Sequence, residues 1–367
     1  MRVLIAGGGT AGHVFPAIAL AERLERDHGA TVEFVGSPRG QEARLVPAAG
    51  FEFHAVAAEQ MPRKVSAAAL RAPFTALASV RACRPIVARA DVVVGMGGYA
   101  SLPAVLAARW MKKPLVLHEQ NAVPGIVNRL AARWARSVAV SFTDALPRFS
   151  SLAKRTVITG NPVRERVLDV AARRESLAKE ACAELDLDPD ALTVLLSGGS
   201  LGALAVDRLF AGALPLLKGR EDLQVLALTG PGHLDVVEGA ASSLTTPRVR
   251  ALEFLERIEL AYAVADLALS RAGAGNIAEL AVCGVPAVLV PYPHATENHQ
   301  EANARELERA GAARVVLQGS LTPKVLVSTL TDLLADGEAR RRMGAAARAW
   351  ARPDAAARLA DLVVEAA

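Results

Sequence analysis

Aromatic residues are scarce in this chain, at 4% of its 367 positions, while apolar residues make up 52%. The interior must therefore be built from Ala, Val and Leu. There is enough of them for two cores, and the length exceeds what one ordinary core holds. Cysteine is nearly absent as well. Cys83, Cys182 and Cys283 are odd in number, far apart, and form no Cys-x-x-Cys. That excludes a zinc framework or a disulfide scaffold and suits a reducing compartment. No uninterrupted apolar run reaches the roughly 18–20 residues of a membrane span. The runs near Leu195 and Val288 are broken by Gly or Pro. No basic stripe is interleaved with aromatics, which argues against nucleic acid. The net charge of +4 leaves anionic lipid, a phosphorylated substrate or a plain solvated surface open. Arg2 to Ala6 reads as a first strand with a glycine loop directly behind it, so no secretory leader is expected here.

Short apolar runs recur instead. Val3–Ala6, Val32–Val35, Val92–Val94, Leu115–Leu117, Val138–Val140 and Val157–Thr159 have the continuous apolar character of strands buried on both faces. Helical spacing lies between several of them, as at Pro16–Arg26. Composition changes after Gly160-Asn161-Pro162, where a charged, helix-prone stretch leads to Thr193–Leu196. Further strands are expected near Val225–Leu228, Leu267–Leu269, Ala287–Val290 and Arg314–Val316. Alternating strand and helix predicts two doubly wound parallel α/β domains, with a boundary near Pro162. The tail from Glu338 reads as helix with a break at Pro353.

Three glycine-rich turns sit between an apolar run and an amphipathic segment: Gly7-Gly8-Gly9-Thr10-Ala11-Gly12, Ser197-Gly198-Gly199-Ser200-Leu201-Gly202 and Arg271-Ala272-Gly273-Ala274-Gly275. A helix N-terminus behind such a turn offers N–H groups and a positive dipole end to an anion. The first turn matches G-x-G-x-x-G, but a dinucleotide site also needs an acid at the end of the second strand. That strand ends in Gly36-Ser37, which argues against NAD. The turn could instead serve only to pack helix on strand. His13 follows it and could be a general base or a packing histidine. A fourth turn, Met96-Gly97-Gly98-Tyr99, and the polar run His118-Glu119-Gln120-Asn121 also follow strands, where doubly wound sheets place ligands. Glu119 and Gln120 could alternatively be surface loop residues. Ser200 and nearby amides could hold a phosphate. Glu279 could accept both ribose hydroxyls or be a solvated helix glutamate. The loop Pro291–Gln300 offers donors suited to sugar hydroxyls. Between Met61 and Arg84, Leu70, Phe74 and Leu77 lie among Arg63, Lys64, Arg71 and Arg81. That is either an apolar stripe with a basic rim for an anionic bilayer or a helix packed on the sheet.

Together these segments resemble the MurG family of glycosyltransferases. The most specific pieces are Gly7–Ala17, Gly95–Ala108, Leu117–Arg129, Gly160–Arg164, the loop at Gly198, Ser270–Leu280 and the Glu297-Asn298-His299-Gln300 tetrad. The resemblance spans nearly the whole chain. It implies two Rossmann-like domains of the glycosyltransferase B type facing across a cleft. Residues 1–162 would take the acceptor and the membrane, with a C-terminal helix, 342–367, packing back on them. Residues 163–341 would bind the sugar nucleotide. Implied donor contacts are Thr10, Ala11, Gly12, Asn121, Arg164, Ser200, Leu255, Ala274, Gly275, Asn276, Ile277, Ala278, Glu279 and Gln300. Of these, Glu279 would take the ribose, Leu255 the uracil and Gln300 the sugar. Gly8, Gly9, Gly97, Gly98 and Tyr99 would face the acceptor. The chain departs from the family pattern at Leu201, at Asn276 and in the segment Glu59–Arg63.

The activity implied is inverting transfer of GlcNAc from UDP-GlcNAc to the 4-hydroxyl of undecaprenyl-pyrophosphoryl-MurNAc-pentapeptide, a step of peptidoglycan synthesis. The protein would work peripherally on the cytoplasmic face of the cell membrane. His13 is the first candidate for the base and Glu119 the second. No Asp-x-Asp occurs near a strand end, so no cofactor and no obligatory protein-bound metal are expected. A UDP-GlcNAc 2-epimerase, another UDP-sugar transferase of the same fold, and a non-catalytic membrane scaffold are the alternatives.

Overall fold

The computed structural model describes the backbone of residues 1–57 and 67–367, and side chains there except for Ala11 and residues 67–74. The chain divides into two compact units. Met1–Arg164 and Arg352–Ala367 form the first, and Glu165–Ala351 the second.

The first unit is built on seven parallel strands: β1 (Arg2–Ala6), β2 (Thr31–Gly36), β3 (Glu52–Ala55), β4 (Val92–Gly95), β5 (Leu115–Glu119), β6 (Ser137–Val140) and β7 (Thr156–Ile158). Their order is β3-β2-β1-β4-β5-β6-β7. β1, β4 and β5 are buried almost throughout, because helices cover both faces of a doubly wound sheet. One face carries Val3, Ile5, Val92 and Val94 against Ile18, Leu20 and Leu24 of the helix Ala11–His28. Leu359, Leu362 and Val363 of the returning helix Ala355–Ala366 complete that layer. The other face packs Leu4, Val93 and Leu115 against Val80, Cys83, Val87 and Val105.

The second unit has six parallel strands: β8 (Leu192–Ser197), β9 (Leu223–Leu228), β10 (Arg248–Leu252), β11 (Leu267–Ser270), β12 (Ala287–Leu289) and β13 (Ala313–Val315). Their order is β10-β9-β8-β11-β12-β13. Val194, Leu196, Val225, Leu267 and Leu269 meet Val206, Phe210, Leu326 and Leu330 on one face.

Three differences from the sequence-based expectation have physical causes. β3 and β10 were not anticipated; both are half-exposed edge strands whose mixed composition, EFHA and RVRAL, gives no apolar run. The first helix begins at Ala11, not Pro16, so the proline lies inside it. The segment returning to the first unit starts at Arg352 rather than 342. The preceding helix, Gly337–Trp350, belongs to the second unit. There a Cβ on Gly344 would come 2.6 Å from the Gly284 carbonyl oxygen, so helix and loop are in backbone contact.

Candidate functional site

In a doubly wound sheet, ligands bind beyond the carboxyl ends of the strands, where the order reverses. In the first unit that point lies between β1 and β4. The loops Gly7–Thr10 and Met96–Gly98 leave those two strands and press together. A Cβ on Gly7 would come 2.7 Å from Met96 Cβ, and one on Gly98 3.1 Å from the Gly8 carbonyl oxygen and 3.3 Å from His13 Cδ2. Gly98 has φ +72°, which a side chain disfavours. His13 is half-buried between the loops, its Nδ1 3.5 Å from Thr10 Oγ1. Thr10, Gly9 and Gly12 are exposed. Two residues along the same helix, the Phe15 ring carries the Arg164 guanidinium 4.2 Å above its centroid.

The polar run at the carboxyl end of β5 is buried. His118, Glu119 and Gln120 are 0%, 3% and 2% exposed, so the surface-loop reading of Glu119 and Gln120 is corrected. Glu119 Oε1 accepts from the Asn121 amide at 3.0 Å; its Oε2 accepts from the Gly125 amide at 3.0 Å and Asn128 Nδ2 at 2.9 Å. Burial raises its carboxyl above the usual range, against those donors. These donors, with the Asn121 side chain, make this carboxylate the anchor of the loop Gln120–Gly125. His118 Nε2 donates to the Gly160 carbonyl at 3.0 Å, and its Nδ1 accepts from Gln120 Nε2 at 3.3 Å. Gln120 Nε2 also donates to the Met96 carbonyl at 3.0 Å. His118 therefore ties the Met96 loop to Gly160 as a neutral imidazole, and burial pushes its pKa down to about 4.

In the second unit the order reverses between β8 and β11. The loop Gly198–Gly202 leaves β8 and leads into the helix Leu204–Ala213. It rests on the loop after β9: a Cβ on Gly202 would come 2.1 Å from the Thr229 carbonyl oxygen and 3.0 Å from His233 Nδ1. Asp207, one turn into the helix, is 0% exposed and lies 3.5 Å from His233 Nδ1. Burial pushes its carboxyl up to about 6, against His233.

β11 leads into the helix Ala274–Cys283. Its first turn leaves the N–H groups of Ala274, Gly275 and Asn276 without intrahelical partners. Ile277 N–H already bonds to Gly273 O at 3.0 Å, and the Ile277 side chain is 0% exposed. The Ile277 side chain and amide are thus both engaged within the unit. Ala278 is buried beside it. Asn276 Nδ2 donates to Ser270 Oγ at 2.6 Å. Glu279 is 9% exposed, and its Oε2 accepts from the Tyr262 hydroxyl at 2.8 Å. It is an oriented carboxylate, not a solvated one. Leu255 follows β10 and is half-buried, as is Ser200. Gln300 Oε1 accepts from the Tyr292 amide at 2.9 Å, which fixes the direction of its NH₂. Arg271 braces this region, donating to the carbonyls of Val290 and Pro291 and to Gln318 Oε1.

Residues 3–140 match the glycosyltransferase family 28 N-terminal domain, and residues 193–359 its C-terminal domain. The chain is 43% identical over 372 residues to the UDP-N-acetylglucosamine–N-acetylmuramyl-(pentapeptide) pyrophosphoryl-undecaprenol N-acetylglucosamine transferase of Nocardioides sp., covering 100% of this chain and 98% of that one. The crystal structure of Acinetobacter baumannii MurG superposes with a TM-score of 0.77 at 31% identity, covering 99% of both chains. The chain belongs to the MurG family. A Neisseria meningitidis UDP-GlcNAc 2-epimerase has a TM-score of 0.70 over 100% of both chains at 14% identity, a likeness of fold.

Each unit gathers its own part of the set expected of a MurG family member. The first brings Gly8, Gly9, Thr10, Gly12, His13, Gly97, Gly98 and Tyr99 to the β1 and β4 ends, with Glu119 at the end of β5 and Asn121 just beyond it. The second brings Ser200, Leu255, Ala274, Gly275, Asn276, Glu279 and Gln300 to the carboxyl ends of its strands. Asp186-Leu187-Asp188-Pro189-Asp190 does contain Asp-x-Asp, but it precedes β8 at the opposite end of the sheet. Arg63 and Lys64 lie outside the described residues, and the side chains of Leu70, Arg71 and Phe74 are likewise outside. Leu77 and Arg81 are exposed one turn apart on the helix Ala67–Arg89, whose inner face buries Val80, Cys83 and Val87. Glu42, Asn128, Tyr262 and Asp207 were missed. Each acts through a contact distant in sequence that no local pattern announces.

Proposed function

We infer that this protein transfers GlcNAc from UDP-GlcNAc to the 4-hydroxyl of undecaprenyl-pyrophosphoryl-MurNAc-pentapeptide, with inversion at the anomeric carbon. The observation that carries this reading is identity of up to 43%, end to end, with transferases of that name. His13 takes the hydroxyl proton: it stands at the mouth of a helix between the two glycine loops. Glu119 is the weaker choice, because N–H donors of Asn121, Gly125 and Asn128 already hold its oxygens. In the second unit Ser200 of the Gly198–Gly202 loop and the amides of Ala274–Asn276 face the departing UDP diphosphate. Glu279, aimed by Tyr262, takes the ribose. This reading asks for no metal held by side chains.

No helix among the described residues is long and apolar enough to cross a membrane. The protein meets an anionic membrane surface on the cytoplasmic side through the helix Ala67–Arg89. Exposed Leu77 and Arg81 support that reading, as does Arg84 stacked over the half-exposed Trp110. The test is UDP release from UDP-GlcNAc with and without the lipid-linked muramoyl acceptor. Acceptor-dependent release is expected. Release that ignores the acceptor, or turnover of UDP-GlcNAc to another sugar nucleotide, overturns the reading.

A further inference from the structure

One buried carboxylate lies under the first glycine loop. Glu42 is 1% exposed and belongs to the segment that follows β2. Its Oε2 accepts from the Gly9 amide at 2.7 Å, and its Oε1 from the Ser37 amide at 2.8 Å. Three glycines make room for it, Gly8 from the first loop, Gly36 at the end of β2 and Gly40 from the stretch after it. A Cβ on Gly8 would come 2.1 Å from the carboxyl carbon, one on Gly40 2.1 Å from Oε2, and one on Gly36 2.7 Å from Cγ. Gly8 and Gly9 have φ of +151° and +92°, a backbone open to glycine and disfavoured for other residues, so the loop's shape depends on its glycines and on the contacts that select it.

Glycine loops at this place in a doubly wound sheet usually turn their amides toward a ligand anion. Here an internal anion already occupies the Gly9 amide. The loop's shape is thereby set before any substrate arrives, and that shape positions His13 against Gly98. Both partners of Glu42 are N–H donors, so only a carboxylate satisfies both; an amide would turn its own NH₂ against one of them.

We propose that Glu42 is a positioning residue for the acceptor half of the site: it stands in for an anion beneath the first glycine loop and fixes the loop and His13 for attack. This rests on the transferase reading above. Two full-length variants test it by different routes. Glu42→Gln removes the charge and one acceptor. Gly40→Ala keeps the charge but drives the carboxylate off the Gly9 amide, at a position without a left-handed φ. Both should still bind UDP-GlcNAc, weakened by no more than a few-fold, because most of its expected contacts lie in the second unit and only Thr10, Ala11 and Gly12 adjoin the tied loop. Their kcat/KM for the lipid-linked acceptor should fall by about ten- to a hundredfold, mostly in kcat. Amide exchange at Gly9 and Ser37 should quicken while β1 stays protected. If both variants bind UDP-GlcNAc and keep acceptor kinetics within twofold, the proposal is wrong. If Glu42→Gln loses UDP-GlcNAc binding through misfolding, Gly40→Ala decides. If the unaltered protein shows no acceptor-dependent UDP release, the transferase reading fails instead, and unchanged exchange at Gly9 and Ser37 would then also sink the anchor.

Discussion

Replacing His118 with Gln should change how stability depends on pH, by an amount that follows from its burial. His118 is 0% exposed, and its pKa is pushed down to about 4. In the unfolded chain it titrates near 6.5. At pH 7.5 both states hold the neutral ring. At pH 4.5 the unfolded imidazole is almost fully protonated, while the folded one is only about a quarter protonated. The unfolded state then binds more protons, so stability falls as pH drops from about 6.5 toward 4. Integrated from pH 7.5 to 4.5, this one group removes about 2.5 kcal/mol. A glutamine amide can still donate toward the Gly160 carbonyl but does not titrate. Its cost is therefore the same at both pH values. The assay is hydrogen-exchange protection of β5 and β6, corrected for intrinsic exchange, in both proteins at both pH values. The gap between the original protein and His118→Gln should shift by about 2.5 kcal/mol in favour of the variant at pH 4.5. Parallel pH profiles would refute the assignment of a buried neutral imidazole.

Other consequences are as direct. His13→Ala should lower kcat by about a hundredfold or more and leave the UDP-GlcNAc KM within a few-fold; an unchanged kcat removes His13 as the base. Tyr262→Phe deletes the hydroxyl that aims Glu279, so the UDP-GlcNAc KM should rise by about three- to tenfold at nearly constant kcat. An unaltered KM would mean that Glu279 does not depend on that bond. Reversing charge and polarity together, with Leu77→Glu and Arg81→Glu, should weaken sedimentation with anionic vesicles while UDP-GlcNAc binding persists. Equal sedimentation would place the membrane contact elsewhere.

Much of this architecture could be read before any coordinates. Central strands such as Val92–Val94 and Leu115–Leu117 are buried on both faces, so their apolar runs declare themselves. The edge strands Glu52–Ala55 and Arg248–Leu252 do not, because half their side chains meet water. The glycine turns were visible for the same local reason: a tight strand-to-helix turn needs glycine within a few residues. Pro16 misled, since proline usually opens a helix, whereas this helix carries it after its first turn. The supports of the site were hidden. Glu42 meets Gly9 from 33 residues away, and Tyr262 meets Glu279 from 17. Such pairs become neighbours only once the strand order is known. Glu119 and Gln120 look like loop residues by type; Glu119 is drawn in by pairing opposite Val140 of β6, and Gln120 by its bond to the Met96 carbonyl, neither of which a local pattern shows.

The central claim is a transfer with inversion onto a lipid-linked muramoyl group. The most direct test is to isolate the lipid product formed from UDP-GlcNAc and read the anomeric proton coupling of the new sugar by NMR. The product should carry a GlcNAc joined to the 4-position of the muramoyl residue, with the large coupling of a β-linkage. A small coupling, showing retained α-configuration, or a product lacking the added sugar, would contradict it.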